Sequence, residues 1–518
     1  MRLNINDTFN IELPADKNTA NSRRQVFKSC FSSVVPRIPS KPQFVHLNQE
    51  FALQLGFNEK NFEEPDLLQL LSGGKVMEGT KPFAMCYGGH QFGHWAGQLG
   101  DGRAINLFEV QTNGERWALQ LKGAGETPYS RTADGLAVLR SSIREHLCSE
   151  AMFHLGVPTT RSLSIALTGD QVLRDVMYNG NAAFEKGAVV CRVSPTFIRF
   201  GNFQIFALRK DIETLKTLTD YSIQHFFPAI EAGDYLGFFQ EVADRTLEMI
   251  LHWQRVGFVH GVMNTDNMSI LGLTLDYGPY GWLEGYEPRW TPNTTDHEYK
   301  RYAYGNQAQI ALWNLLQLAN ALLPLINETE PLEKSLANFK AEFETKYSSL
   351  MLEKLGLTIM EENDVSLMMD IESVLQLSET DMTIFFRKLS SVNKNDSASM
   401  ALDKIKEAFY SPNEVKAGIE KQWIEWFTAY LNRLTHDNLS EIERKTKMNA
   451  INPKYVLRNY MAQLAIDQAD KGDYSLVEEL YKLLRRPYDE QPEYEQWFAK
   501  RPDWARDKVG CSMLSCSS

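Results

Sequence analysis

The residues best suited to chemistry lie in His260-Gly261-Val262-Met263-Asn264-Thr265-Asp266-Asn267 and, one short hairpin later, in Asp276-Tyr277-Gly278. Asn267 and Asp276 offer an amide oxygen and a carboxylate, hard ligands suited to magnesium or manganese held together with phosphate oxygens. Asp266 is a further carboxylate, able to take a proton or orient metal-bound water. Upstream, Arg192 sits in the apolar run Val189-Val190-Cys191-Arg192-Val193, and Arg199 in Phe197-Ile198-Arg199-Phe200-Gly201. A permanent guanidinium in such surroundings needs an anion, and its fork fits phosphate. A structural salt bridge is the competing reading for either arginine alone.

The order of these parts follows the protein-kinase pattern with one part missing. A kinase catalytic loop reads H-R-D-x-x-x-x-N and is followed by D-F-G; the Asn and the second Asp hold metal, and the first Asp accepts the hydroxyl proton. Here Asn267 takes the Asn place, Asp276 takes the metal Asp, and Val262 falls where the base should stand. Metal-nucleotide binding is therefore expected, and ordinary phosphoryl transfer is put in question. Lys122 leaves the alternating strand Trp117-Ala118-Leu119-Gln120-Leu121-Lys122, where kinases keep the lysine that grips phosphates. Glu145 falls on a helical stripe with Val138, Cys148 and Met152, a costly place for a carboxylate unless a cation meets it; Lys122 is the natural partner. Gly97, Gly100 and Gly102 precede that lysine and are expected to bring backbone N–H groups to phosphate, with Arg103 adding charge. His260 is expected to brace its loop rather than bind metal, because no second histidine stands at ligand spacing. Cys30, Cys86, Cys148 and Cys191 show no CxxC spacing and read as core residues.

The elements that must position these groups come from periodicity. Strands are predicted over 105–110, 117–122, 162–167 and 188–193, and helices over 136–155 and 235–256. Residues 1–80 read as an N-terminal extension packed on a larger body, 81–330 as the nucleotide-binding core, and 331–518 as a helical region. A disordered loop is expected at 393–396. The apolar stretch 310–326 is interrupted by Asn314, Gln317 and Asn320 and reads as a buried helix.

Composition narrows the partners. The chain has 518 residues, 43% hydrophobic and 23% charged, as in globular proteins. A net charge of -12 argues against nucleic acid and anionic membranes, which reward clustered Lys and Arg. Six cysteines in so long a chain make no disulfide framework, and the N-terminal segment lacks an apolar run; a reducing cytoplasm is expected.

Longer motifs add a resemblance covering nearly the whole chain: Tyr87-Gly88-Gly89-His90-Gln91-Phe92-Gly93, Gln98-Leu99-Gly100-Asp101-Gly102-Arg103, Leu121-Lys122-Gly123-Ala124-Gly125, Arg140-Ser141-Ser142-Ile143-Arg144-Glu145, the 260–269 loop and Asp276-Tyr277-Gly278-Pro279, with Asn452-Pro453 and Leu457-Arg458-Asn459 near the end. In these the chain resembles selenoprotein O, a family of kinase-like protein adenylyltransferases. The resemblance implies an α+β, protein-kinase-like (pseudokinase) fold with an N-terminal extension and a large helical C-terminal part. It implies ATP bound flipped relative to kinases, so that AMP passes to a Ser, Thr or Tyr hydroxyl of a target protein and pyrophosphate leaves. Carried over by motif, Gly100, Gly102, Arg103, Lys122, Asp134, Gly135, Arg192, Arg199 and Asp276 bind nucleotide, Asn267 and Asp276 bind Mg2+ or Mn2+, Glu145 supports Lys122, and Asp266 accepts the proton. UTP with manganese is the alternative to ATP. Cys516 stands where eukaryotic members carry selenocysteine, which supports a redox reading of a tail expected to be exposed.

Two rival functions stay open on the residues: a true kinase using Asp266 as base, and a non-catalytic nucleotide-binding scaffold.

Overall fold

Alternation along two neighbouring strands decides where the fold places its charged residues. The computed structural model of the protein describes residues 3–515. In chain order its strands are β1 (Phe31–Ser33), β2 (Gln43–Leu47), β3 (Phe83–Met85), β4 (Gly88–Gln91), β5 (His94–Gln98), β6 (Ala104–Thr112), β7 (Glu115–Lys122), β8 (Ala137–Val138), β9 (Arg161–Arg174), β10 (Ala183–Ser194), β11 (Phe258–Val259) and β12 (Gly281–Trp282). Eight of them form one antiparallel sheet, ordered β1-β3-β6-β7-β10-β9-β2 with β8 on β10; β4–β5 and β11–β12 are separate pairs. The β7–β10 register sets Lys122 opposite Val190 and Gln120 opposite Arg192. Successive side chains point to opposite faces. Leu119, Leu121, Val189, Cys191 and Val193 therefore share an apolar face with Phe51, Leu67 and Leu70 of the N-terminal helices. Gln120, Lys122 and Arg192 point the other way, toward the helix Leu139–His154.

That helix was expected over 136–155 and begins later because Ala137 and Val138 pair with β10 as β8. β1 and β2, from the first 80 residues, occupy the two edges of the sheet. Strands expected over 162–167 and 188–193 extend into the long hairpin β9–β10.

Opposite the sheet lies a helical body. The helix Tyr235–Val256 starts where the Asp234 carboxylate accepts the Gly237 N–H at 2.8 Å and ends at Gly257, whose φ of 75° suits a left-handed cap. The segment Tyr304–Ile326 is long and apolar enough to cross a membrane, yet its helix Gln307–Ile326 packs against the helices Phe200–Leu208, Tyr235–Val256 and Glu330–Lys354. Its polar interruptions work locally: Gln307 Nε2 donates to Phe258 O at 2.9 Å and Asn314 Nδ2 to Met263 O at 2.9 Å, bracing the 260 loop. A second core, with Phe385, Phe386, Trp423, Phe427 and Tyr430, unites the later helices.

Two expectations are corrected. Residues 393–396 form a pinned turn rather than a disordered loop: Asn393 N–H donates to Asp396 at 2.7 Å, Lys404 pairs with Asp396 at 2.5 Å, and Lys394 N–H reaches Glu441 at 2.9 Å. The tail through Ser515 is packed, not exposed. Thr294 N–H donates to Leu514 O at 2.8 Å, Asn459 Nδ2 to Cys511 O at 2.9 Å, and the Ser515 hydroxyl to Val176 O. Buried apolar Leu514 provides the anchor that small polar neighbours concealed. Cys516 itself lies outside the described residues.

Candidate active site

The 260 loop is held rigid by its own polar atoms and by its neighbours. Burial lowers the His260 pKa, keeping the ring neutral; Nε2 donates to Leu275 O at 2.9 Å and Nδ1 accepts Val262 N–H at 3.3 Å. His260 is thus a brace, as expected. Asn267 Nδ2 donates to Val262 O at 2.8 Å, while its Oδ1 accepts no hydrogen bond from the described residues. The segment 198–200 pairs with 268–270 through Phe200 N–H to Met268 O at 2.9 Å and Ile270 N–H to Ile198 O at 3.3 Å, which brings Arg199 beneath the loop.

Asp266 is walled in by the β4–β5 hairpin. His90 N–H donates to Thr265 Oγ1 at 2.7 Å, and Gln91 Nε2 to Asp266 Oδ2 at 3.2 Å. A Cβ on Gly89 would stand 2.7 Å from Asp266 Oδ1, so only glycine permits this approach. Asp266 Oδ1 is buried without a partner. Burial, opposed by the Gln91 amide, pushes the carboxyl up to about 6.

Asp276 lies in a left-handed backbone conformation, φ 60°, which a non-glycine residue holds only under tertiary constraint. The constraint is ionic. Arg192 Nη1 lies 2.5 Å from Oδ1, Arg199 Nη1 2.5 Å from Oδ2, and Lys122 Nζ 3.6 Å from Oδ1. Burial alone would raise the Asp276 pKa; the guanidiniums of Arg199 and Arg192 and the Lys122 ammonium overcome it and hold the carboxyl well below its usual range. Glu145 completes the cluster, with Lys122 at 2.8 Å and Arg192 at 3.1 Å. Burial pulls Lys122 down against the opposing pull of Glu145. The expected Lys122–Glu145 contact is present, but Glu145 is shared with Arg192. Each arginine, taken alone, already has its salt bridge in the protein.

The cluster still has open valences. Arg192 Nε and Arg199 Nη2 are buried without acceptors. Unpaired donors of this kind are costly, and an anion would satisfy them. The residues fit a metal-bound nucleotide on both counts: Asn267 Oδ1 is open to a hard cation beside the ion-paired Asp276 carboxylate, and the guanidiniums keep donors for phosphate.

All of this opens into a cleft of about 790 Å³, within the range of small-molecule sites. Gly100, Gly102, Arg103, Lys122, Asp134, Gly135, Arg192, Asp266, Asn267 and Asp276 line it. Arg199 stands behind Asp276. Arg103 makes no ion pair among the described residues, whereas Asp134 pairs with Arg174 at 2.8 Å. The glycines act differently from expectation. Gly100 N–H donates to Tyr87 O at 3.1 Å and Gly102 N–H to Gly100 O at 2.8 Å, so neither donor is free for phosphate. A Cβ on Gly100 would lie 2.4 Å from Tyr129 Cγ; the glycine admits that ring to the cleft wall. Gly97 lies in β5, outside the lining.

Sequence reasoning gave no role to Asp101, Gln120 and Arg131. Asp101 is buried and accepts Met85 N–H at 3.0 Å and Asn106 Nδ2 at 3.2 Å; Gln120 accepts Arg192 Nη2. Gln120 follows the strand's alternation on the face of Lys122, so nothing in the sequence set it apart. Arg131 lines the cleft. Burial pushes the Cys511 thiol up to about 11, so it is poorly reactive.

The shared carboxylate makes a testable prediction. Lys122→Ala and Glu145→Ala should each reduce activity, and the double variant should lose less than the product of the two, with a coupling of about 0.5–3 kcal/mol. Glu145→Ala should be the more damaging single change, since it strands both Lys122 and Arg192. Simple additivity in a double-mutant cycle on activity would show that the contact has no energetic meaning.

Comparison with known proteins places these residues in context. The family model "Protein adenylyltransferase SelO" matches residues 17–485. The chain is 62% identical to the protein nucleotidyltransferase YdiU of Flavobacterium johnsoniae, covering 100% of this chain and 99% of that protein. It is 54% identical to the YdiU of Rhodopirellula baltica, over 100% and 99%, and 51% identical to that of Aromatoleum aromaticum, over 99% of each.

Proposed function

The chain belongs to the protein adenylyltransferase SelO family, and from that premise we propose that this nucleotidyltransferase moves AMP from ATP to a Ser, Thr or Tyr hydroxyl of a target protein. The observation that carries the reading is the pair of guanidiniums fixed around Asp276, with unfilled donors at Arg192 Nε and Arg199 Nη2. A kinase needs its cations around a γ-phosphate that moves to the acceptor; here the permanent charges lie deep, suited to phosphates that stay behind. We assign the kinase-like nucleotide-binding core to residues 81–330, with 1–80 packed on it and 331–518 as helical support.

In this reading Lys122, Arg103 and Arg192 hold the β- and γ-phosphates, Arg199 adds its charge from behind Asp276 rather than from the cleft lining, and Gly100, Gly102, Asp134 and Gly135 form the surrounding wall. Asn267 Oδ1 and the Asp276 carboxylate would hold Mg2+ or Mn2+, which supplies charge neutralisation between the phosphates. The acceptor hydroxyl approaches from the Asp266 side. Its oxygen bonds to the α-phosphorus, its proton passes to Asp266 Oδ1, and the α–β P–O bond breaks to release pyrophosphate. Val262 leaves no carboxylate at the position from which a kinase base would serve the γ-phosphate. The five described cysteines carry no disulfide, in keeping with action on cytoplasmic proteins.

The test is incubation with ATP labelled at either the α- or the γ-phosphate. Label entering protein from the α position alone supports the reading; γ alone would make the enzyme a kinase, and neither a scaffold. α-Labelled UTP in the same assay decides the nucleotide.

Arg192 gives a finer prediction. Arg192→Ala should lower transfer by about 10–1000-fold, the effect of losing a transition-state charge contact. Lysine should rescue poorly, because a point charge cannot span Asp276, Glu145 and a phosphate at once. ATP affinity should fall much more than ADP affinity. Equal losses for both would mean that Arg192 serves the fold instead.

A further inference from the structure

The turn of the β4–β5 hairpin covers a guanidinium with no anion. Gln91 and Phe92 of this hairpin line the cleft; Phe92 N–H donates to Asn264 Oδ1 at 3.2 Å and to the Tyr302 hydroxyl at 3.0 Å. Arg301, the residue before Tyr302, lies against Gly93 at the turn, with its Cζ 4.7 Å from the centroid of the Trp313 ring. Its Nε and Nη2 are buried and have no hydrogen-bond partner, and no carboxylate forms an ion pair with it among the described residues. The nearby acid Asp296 is already engaged, accepting the backbone N–H groups of Arg301 at 2.9 Å and Tyr302 at 2.7 Å. Stacking on Trp313 offsets only part of the cost of leaving a guanidinium in this condition. The residue as a whole is half-buried, and reaching the two covered donors takes a rotation of the side chain out from under the turn.

We infer that Arg301 is a docking point for an acidic side chain of the target polypeptide, close in sequence to the acceptor hydroxyl. The inference rests on the reading of Asp266 as the acceptor-side base. The hairpin supplies the connection: Gln91 on its inner face touches Asp266, and its turn at Phe92–Gly93 touches Arg301. A chain that delivers a hydroxyl to Asp266 would lie beside the hairpin whose turn holds Arg301. Nucleotide phosphates do not explain Arg301, which is absent from the cleft lining and separated from it by Gln91 and Phe92. A carboxylate suits the two free donors bidentately. On a chain of net charge -12, a cation without a carboxylate partner beside the hairpin turn also gives specificity against a generally repulsive surface.

The test uses the full-length enzyme and fluorescein-labelled peptides with a central Ser and flanking Glu, Gln or Lys, read by fluorescence anisotropy with and without added salt. Wild type should bind the Glu-flanked set about tenfold or more tightly than the Lys-flanked set, with the margin shrinking in salt. Arg301→Glu should invert that order, Arg301→Gln should flatten it, and Arg301→Lys should keep it. Unchanged order in Arg301→Glu or Arg301→Gln, or equal binding of Glu and Gln sets by wild type, would overturn the inference. Binding is read without transfer, so a failure of α-label incorporation would remove the proposed function and leave this result to stand or fall separately.

Discussion

Asp276→Ala is expected to lower nucleotidyl transfer by about 1000-fold or more, because the residue is both the anionic metal ligand of the reading and the hub of the ionic cluster. Two effects combine. The cation that neutralises the phosphates loses its charged ligand, and Arg192, Arg199 and Lys122 lose a carboxylate they share. Asp276→Asn separates them, since it keeps the shape and removes the charge. Metal affinity in the presence of nucleotide, measured by manganese paramagnetic resonance, should fall for both variants. Asn267→Ala should cost less, because an amide oxygen is a neutral ligand. Near-wild-type transfer by Asp276→Ala would end the metal-site assignment.

Asp266→Asn should reduce transfer by about 100- to 10,000-fold while leaving nucleotide affinity close to wild type, the pattern of a lost general base. The isosteric amide still fits beneath Gly89 and can still meet Gln91, so the hairpin should stay in place. Melting temperature and calorimetric ATP binding are the controls. Loss within tenfold would show that the hydroxyl proton leaves by another route, and an equal loss of ATP affinity would move Asp266 from the acceptor side to the nucleotide side.

Much of the site was legible because its signals are local. Asn267, Asp276 and Lys122 were placed by short motifs, and Glu145 by a charged residue in an apolar stripe. The helix Tyr235–Val256 was readable at both ends, with a capping Asp before it and a glycine after. What stayed hidden depends on register and on distant packing. Arg192 meets Gln120 only through the β7–β10 pairing, and a bulge between Cys191 and Arg192 resets its alignment with β9. Gly100 and Gly102 suggested free N–H groups, yet Tyr87 and Gly100 itself take those donors. Arg301 carried no signal, for its condition comes from a hairpin two hundred residues upstream in the chain. The tail looked free because sequence does not show that Leu514 finds a buried seat.

The ionic closure around Asp276 has a consequence for how the ligands arrive. Both Asp276 oxygens are already held by guanidiniums, Oδ1 by Arg192 and Oδ2 by Arg199, so a bare divalent ion must displace a cationic partner to reach them. A nucleotide removes that competition by drawing the guanidiniums onto its phosphates and freeing the Asp276 oxygens. Metal and nucleotide should therefore show strong positive heterotropic coupling, and by thermodynamic reciprocity each should tighten the other by the same factor. In kinetic terms the enzyme should take up the preformed chelate, and free magnesium in the absence of nucleotide should leave it essentially unloaded.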